Sequence, residues 1–146
     1  MEKYFYKNRR YEERKRQERE GQEYAEKLFK DAPLRKWQQE AVRQLDAQNS
    51  TEILWITGSK YGDGRSWLGM WLKINRNATL IMGSQRSAYG LKIQEYIAVD
   101  IKRCTCRIQY SFIKRLRNMG KKIIVLATKN PDKKKLLPYN VTITKL

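Results

Sequence analysis

A glycine-rich loop at residues 58–66 has the residue types that bind phosphate groups. It reads Gly-Ser-Lys-Tyr-Gly-Asp-Gly-Arg-Ser and lies between an apolar segment and a helical pattern. In such loops, glycines let backbone N–H groups converge on phosphate oxygens, the helix N-terminus adds partial positive charge, and a terminal hydroxyl binds Mg²⁺. We expect Ser66 to bind Mg²⁺ and the nucleotide to be bound by Gly58, Gly62, Asp63, Gly64, Arg65 and Ser66.

Two features of this loop depart from the standard phosphate-binding pattern. Five residues separate Gly58 from Gly64, one more than usual, and Arg65 replaces the usual lysine. Arginine can bind phosphate through two parallel hydrogen bonds, but its guanidinium is bulkier than an ammonium group. We therefore expect hydrolysis to suffer more than binding. An ordinary glycine-rich turn is the alternative that the loop alone leaves open.

Asp100 is the second candidate for chemistry at phosphates. It directly follows the apolar residues 96–99. An acidic residue at the carboxyl end of a parallel strand, beside a phosphate-binding loop, can organise Mg²⁺ and water. We expect Asp100 to be catalytic and to share the metal with Ser66, and Arg65 to be catalytic through contact with the terminal phosphates. The alternative is an aspartate that caps the following turn.

Strands and helices are predicted to alternate along the part of the chain that holds these residues. Helical spacing and polar composition predict helices at 34–49, 66–72, 85–93 and 107–119. Short apolar runs predict strands at 53–57, 78–82, 96–99, 122–127 and 141–144. Continuous rather than alternating apolar strands, separated by helices, are typical of a parallel sheet that is covered on both faces. The expected fold class is therefore α/β.

The N-terminal segment has a different composition. Residues 2–31 contain ten Lys or Arg and eight Asp or Glu, spaced so that many opposite charges lie one helical turn apart. With few aliphatic residues, this segment cannot bury a face of its own. We expect residues 1–33 to form a charged helical arm or linker and residues 34–146 to form the α/β domain.

The whole chain is strongly basic, with 32 Lys or Arg, 15 Asp or Glu and a net charge of +17. Such an excess favours an anionic partner. Residues 102–135 hold twelve of the basic residues against Asp132 alone, which indicates nucleic-acid binding, with a solvated basic surface as the alternative. The expected contacts are Lys102, Arg103, Lys114, Arg115, Arg117, Lys121 and Lys122.

The composition also excludes several classes of site. The chain has no histidine, which rules out Ser-His-Asp and Cys-His nucleophiles and most zinc hydrolase sites. Its two cysteines, Cys104 and Cys106, are too close in sequence for an unstrained disulfide, so we expect reduced thiols in an intracellular protein. No apolar run approaches the length of a membrane span, and we expect no membrane contact.

Four segments of the domain follow one another in a recognisable order. They are Leu-Arg-Lys-Trp-Gln at 34–38, the loop at 58–66, Asp-Ile-Lys-Arg at 100–103, and Ile-Val-Leu-Ala-Thr-Lys-Asn-Pro-Asp at 124–132. Together they resemble the superfamily 3 helicase domain of replication initiator (Rep) proteins from small circular single-stranded DNA viruses and satellites. The loop spacing is similar to that of nanovirus-like members. The resemblance covers about residues 34–144.

The resemblance implies an AAA+-type P-loop NTPase domain that uses ATP and Mg²⁺. Such domains form homo-oligomeric rings and track single-stranded DNA during rolling-circle replication, and RNA is an open alternative here. Thr128 or Asn130 would contact the γ-phosphate or its attacking water. Lys114, Lys121 and Lys122 would face the central channel.

The resemblance also bears on the origin of the chain. The metal-binding His-x-His of the initiator's nicking domain is impossible in a chain without histidine, which implies a split or truncated product. For a eukaryotic virus, the expected location is the host nucleus.

Two alternatives to an active helicase stay open. Because Arg65 and Thr128 differ from the residues that the family carries, the chain could be a catalytically inactive nucleic-acid-binding or oligomerisation remnant. An unrelated basic structural protein, such as a ribosomal or capsid component, would explain the charge but not the ordered motifs. Nucleotide binding separates the first two interpretations from the third.

Overall fold

The computed structural model describes residues 2–82, 92–101 and 108–146. The chain divides into two compact units, Met1–Ala32 and Pro33–Leu146. The first unit contains one long helix, α1 (Glu2–Phe29). Ion pairs along it join Lys15 to Glu18 and Arg16 to Glu20, at 3.6 and 3.8 Å. The charged N-terminal helix predicted from the sequence is confirmed.

The second unit is built on a five-stranded sheet in which all neighbouring strands are parallel. The order across the sheet is β2-β3-β4-β1-β5. The strands are β1 (Glu52–Thr57), β2 (Thr79–Met82), β3 (Tyr96–Ile101), β4 (Lys122–Ala127) and β5 (Asn140–Lys145). The α/β class with a parallel sheet is confirmed, and the architecture is consistent with a P-loop NTPase-like fold.

Helices cover both faces of this sheet. One face is covered by α2 (Lys36–Asp46) and α3 (Arg65–Asn75). The other face is covered by α4 (Tyr110–Asn118) and the short 3-10 helix Lys133–Leu136. Gly69 lets α3 approach closely, because a Cβ there would lie 3.3 Å from the Leu80 side chain and 3.4 Å from that of Leu126.

The central strands are buried on both sides. In β1, β3 and β4, every residue after the first is buried. This double burial is the reason that these strands appear in the sequence as continuous apolar runs. The layer beneath α4 contains the fully buried Trp55, with Ile53, Ile97, Val99, Ile123, Val125, Phe112, Ile113, Leu116 and Leu136.

Some boundaries differ from those predicted. Helix α2 ends at Asp46 rather than near residue 49. Beyond this end, the Gln48 side chain binds the backbone of β4: it accepts from the N–H of Ile123 at 2.7 Å and donates to the Ile123 carbonyl at 2.9 Å. Helix α4 begins at Tyr110 rather than residue 107. Most of the helix predicted at 85–93 falls outside the described residues, and residues 92–93 are not helical.

Candidate functional site

The glycine-rich loop connects the end of β1 to the start of α3. Gly62 and Gly64 have positive φ angles of 79° and 93°, a region that glycine adopts without strain. Gly64 directly precedes the first residue of α3. The loop therefore delivers the chain to a helix N-terminus, where backbone N–H groups and the helix dipole favour anions.

A cavity of about 710 Å³ lies at this carboxyl edge of the sheet. The predicted residues that border it are Gly62, Asp63, Gly64, Arg65, Ser66 and Asp100. Pro33, Arg35, Lys60, Tyr61 and Leu126 are among the others. The loop, the first turn of α3 and Asp100 of β3 thus line the same cavity.

Arg65 is held inside the loop by Asp63. The Arg65 Nε–H donates to Asp63 Oδ1 at 3.0 Å and lies 2.8 Å from Oδ2, which shares the charge but receives no aligned hydrogen bond. The Arg65 backbone N–H also donates to Oδ1, at 3.2 Å. The guanidinium donates in addition to the carbonyl oxygen of Ala127, at the end of β4. Its charge is therefore paired within the protein.

Gly58 lies directly under this pair. Its N–H donates to the Ala127 carbonyl at 3.2 Å. A Cβ at Gly58 would lie 2.3 Å from Asp63 Oδ2 and 3.1 Å from Arg65 Nε, so only glycine leaves room for the folded-over side chains. Gly58 does not itself border the cavity.

The N-terminus of α2 holds the other side of the loop. Gln38, which is 2% exposed, accepts from the Arg35 N–H at 2.8 Å and donates to the Gly64 carbonyl at 3.1 Å. Arg35 Nη1 donates to the Gly62 carbonyl at 3.3 Å. The sequence analysis used these α2 residues only for their resemblance to a motif. It missed their contact with the loop because 26 residues separate Gln38 from Gly64.

Asp100 lies in the cavity wall and is 4% exposed. Its strand, β3, is separated from β1 by β4, which pairs with both strands. Ser66 is exposed and borders the same cavity.

Ser66 and Asp100 together fit the needs of Mg²⁺. This ion commonly takes one or two protein oxygens and completes its shell with phosphate oxygens and water. No cluster of three or more His, Cys, Asp or Glu suited to a metal occurs among the described residues. A Mg²⁺ ion at this site would therefore take its remaining ligands from phosphate oxygens and water.

Thr128 and Asn130 do not border the cavity. Thr128 is half-buried and Asn130 is exposed, both just beyond the end of β4. The Ala127 carbonyl, at the end of the same strand, accepts hydrogen bonds from the loop residues Gly58 and Arg65. The role of Thr128 or Asn130 at the γ-phosphate stays a prediction.

Arg117 does not lie on an exposed basic surface. It is 3% exposed, and its guanidinium donates to the carbonyl oxygens of Asn49 and Lys121. Burial lowers the pKa of Arg117, although the charges of Tyr139 and Glu52 oppose the shift. The sequence held a signal for this: Arg117 follows Ile113 by one helical turn, on the buried face of α4.

The other residues predicted to contact nucleic acid differ in position and exposure. Lys102 and Arg103 lie outside the described residues. Lys114 is half-buried on α4, and Arg115 is exposed with its guanidinium 5.7 Å from the Phe112 ring centre.

Lys121 and Lys122 lie at the start of β4, at the sheet edge opposite the cavity. The Lys122 ammonium donates to the Asp46 carbonyl and lies 5.3 Å from the Tyr96 ring centre. Four further basic residues of the segment 102–135 are exposed but were not among the contacts expected individually: Lys129, Lys133, Lys134 and Lys135.

Comparison with known proteins gives no family assignment. The chain matches no protein-family model and no curated protein. In the described part of the chain, no helix is both long and apolar enough to cross a membrane. The geometry of the cavity is therefore the basis for a functional proposal.

Proposed function

We propose that the unit Pro33–Leu146 is a helicase-type nucleotide-binding domain of a viral replication initiator. It takes ATP with Mg²⁺ and acts on single-stranded nucleic acid during rolling-circle replication. The observation that carries the proposal is the cavity of about 710 Å³, because the glycine-rich loop, the start of α3 and Asp100 all border it. Ligands of parallel α/β folds bind at this edge of the sheet, in pockets of this size.

Each group at the cavity has a role in this proposal. Backbone N–H groups of the loop and of the first turn of α3 bind the phosphate oxygens. Ser66 and Asp100 hold Mg²⁺, and Asp100 orients the attacking water. The ion neutralises charge that develops on the phosphates during transfer.

Nucleic acid as the partner is supported by the charge of the chain. The net charge is +17, and Lys133, Lys134 and Lys135 are exposed beside α4. Phosphate contacts by such residues supply most of the affinity for nucleic acid in a sequence-independent way. A homo-oligomeric ring is the assembly that the resemblance to Rep helicases implies.

A second candidate is a domain that binds nucleotide without hydrolysing it. One specific observation favours it. Arg65 stands where the standard motif has its catalytic lysine, and its guanidinium forms an ion pair with Asp63. Thr128 and Asn130, the other residues expected near the γ-phosphate, stay outside the cavity.

The test measures binding of Mg²⁺–ATP to the full chain and its hydrolysis with and without single-stranded DNA. Asp100→Asn should abolish any hydrolysis and remove the Mg²⁺ dependence of binding. Glu95→Gln is the matched control, since Glu95 is exposed at the other end of β3. Binding with DNA-stimulated hydrolysis supports the helicase, and binding alone supports the second candidate. No binding at millimolar nucleotide would refute both.

A further inference from the structure

We infer that Arg35 and Lys60, rather than Arg65, supply the side-chain charge that binds the terminal phosphates. The inference rests on the proposed nucleotide site and names the residues that would distinguish a triphosphate from a monophosphate there. Both residues border the cavity. Neither occupies the position at which the standard motif carries its cation.

The charges around the cavity lead to this assignment. Among the residues that the structure describes, the charged ones that border it are Arg35, Lys60, Asp63, Arg65 and Asp100. Asp63 and Arg65 neutralise each other at 2.8 Å, and their side chains are only 14% and 15% exposed. Asp100 is the carboxylate assigned to Mg²⁺. Of this described set, Arg35 and Lys60 are the positive charges that remain for phosphate oxygens.

Arg35 is placed for this role by α2. Its backbone N–H is fixed by Gln38 at 2.8 Å, and Gln38 in turn holds the Gly64 carbonyl at 3.1 Å. Arg35 Nη1 lies 3.3 Å from the Gly62 carbonyl oxygen and 3.6 Å from where a Cβ of Gly64 would be. The guanidinium therefore lies against the part of the loop that leads into α3, where phosphates are bound.

The Arg35 guanidinium also keeps donors that can bind a phosphate group. It is exposed, and among the described residues no carboxylate forms an ion pair with it. A guanidinium with one weak bond to a carbonyl keeps donors that can bind a phosphate bidentately.

Lys60 approaches the cavity from the first half of the loop. It is exposed, and it likewise has no ion-pair partner among the residues that the structure describes. An ammonium on a flexible stem can follow a phosphate group as a point charge. In this arrangement, Arg35 is a fixed cation and Lys60 a flexible one, and together they bind the phosphates that the usual lysine would bind.

The experiment compares the affinities of the full chain for ATP, ADP and AMP with Mg²⁺, by titration calorimetry. Arg35→Gln should weaken ATP binding about tenfold, or ~1.4 kcal/mol, and AMP binding much less. Arg35→Lys should restore part of the loss. Lys60→Gln should act in the same direction, and the double variant should bind ATP and AMP with similar affinity.

Lys36→Gln is the matched control, because it removes the same charge from an exposed neighbour that does not border the cavity. It should leave all three affinities unchanged. Thermal melts of each variant confirm that the fold is kept. Wild-type ATP affinity in both Arg35→Gln and Lys60→Gln would overturn the inference and leave the proposed function standing. No nucleotide binding by the unmodified chain would overturn both.

Discussion

Asp63 and Arg65 form an ion pair inside the glycine-rich loop, with 2.8 Å between Asp63 Oδ2 and Arg65 Nε. Oδ2 lies 2.3 Å from where a Cβ of Gly58 would be, so the carboxylate fills the space above the first glycine. The loop therefore carries a carboxylate of its own, and an entering phosphate group meets an arginine whose charge is already neutralised.

Asp63→Asn should tighten Mg²⁺–ATP binding. The substitution removes one negative charge from the site and releases Arg65 from its ion pair, and we expect a gain of about three- to tenfold, or ~1 kcal/mol. Titration of the two proteins with nucleotide measures the change. Glu95→Gln, an equal change of charge far from the loop, should have no effect. Weaker binding in Asp63→Asn would show that the carboxylate supports the loop more than it competes with phosphate.

Arg65→Lys should raise the kcat of ATP hydrolysis, which we expect to be slow or absent in the unmodified chain. The guanidinium is tied to Asp63 and to the Ala127 carbonyl, whereas a lysine ammonium can leave such contacts to follow the transferred phosphoryl group. A coupled phosphate-release assay measures kcat, which is more informative here than KM. Asp100→Ala should abolish the gain. Rapid hydrolysis by the unmodified chain, unchanged by Arg65→Lys, would contradict the prediction.

Nucleic-acid affinity should fall steeply with salt. On single strands, the slope of log affinity against log salt is about −0.7 per phosphate neutralised. Replacing Lys133, Lys134 and Lys135 by Gln should therefore make the slope shallower by up to about 2. The control replaces Arg14, Lys15 and Arg16 of α1, an equal change of charge. Equal effects of the two triple variants would show that net charge, rather than the surface beside α4, governs binding.

Arg117→Ala should destabilise the domain without directly removing a surface contact. The change leaves the carbonyl oxygens of Asn49 and Lys121 without their buried donor, and we expect a loss of about 2–3 kcal/mol in the free energy of unfolding. Arg115→Ala, on the exposed side of the same helix, should cost less than about 1 kcal/mol. Urea denaturation measures both. Similar losses for the two variants would contradict the burial argument.

Tyr96 should make stability depend on pH in the alkaline range. Burial, followed by the hydrogen bond and negative charge of Asp46, raises the pKa of Tyr96 to about 12, against a value of about 10 in the unfolded chain. The raised pKa favours the protonated phenol in the folded state. Its stabilising contribution is therefore complete below pH 10 and is lost as the pH rises from about 10 to about 12.

Phenolate absorbance and unfolding free energies across this range test the prediction. Tyr96→Phe should lack both the late titration and its share of the pH dependence. Titration of every tyrosine near pH 10 would contradict it.

Asp46 makes the stability of the fold depend on pH in the acidic range. Its burial alone would raise the carboxyl pKa, but hydrogen bonds from Arg76 and Tyr96, with the nearby charges of Arg76 and Lys122, outweigh burial and lower it. This contribution is complete above the ordinary carboxyl pKa and disappears as the pH falls through the lowered value. Tyr96 and Asp46 thus stabilise the amino edge of the sheet between these two limits.

The sequence alone determined the class of the fold and the presence of its five strands. Strands β1, β3 and β4 are buried on both faces and are apolar at most positions, so their presence is encoded locally. The loop was equally visible, since Gly62 and Gly64 take positive φ angles that other residues rarely adopt. Opposite charges that lie one helical turn apart, such as Arg16 and Glu20, made the helical character of α1 predictable too.

Only the tertiary structure decided which residues meet. It placed β4 between the loop strand and the strand of Asp100, brought Arg35 and Gln38 onto the loop from another helix, and tied Arg65 to Asp63. It also buried Arg117 while leaving Arg115 at the surface. The physical reason is that hydrophobic periodicity and glycine content act over a few residues. Pairing of charges and hydrogen bonds across a site depends on strand order and helix packing, which join segments far apart in the chain.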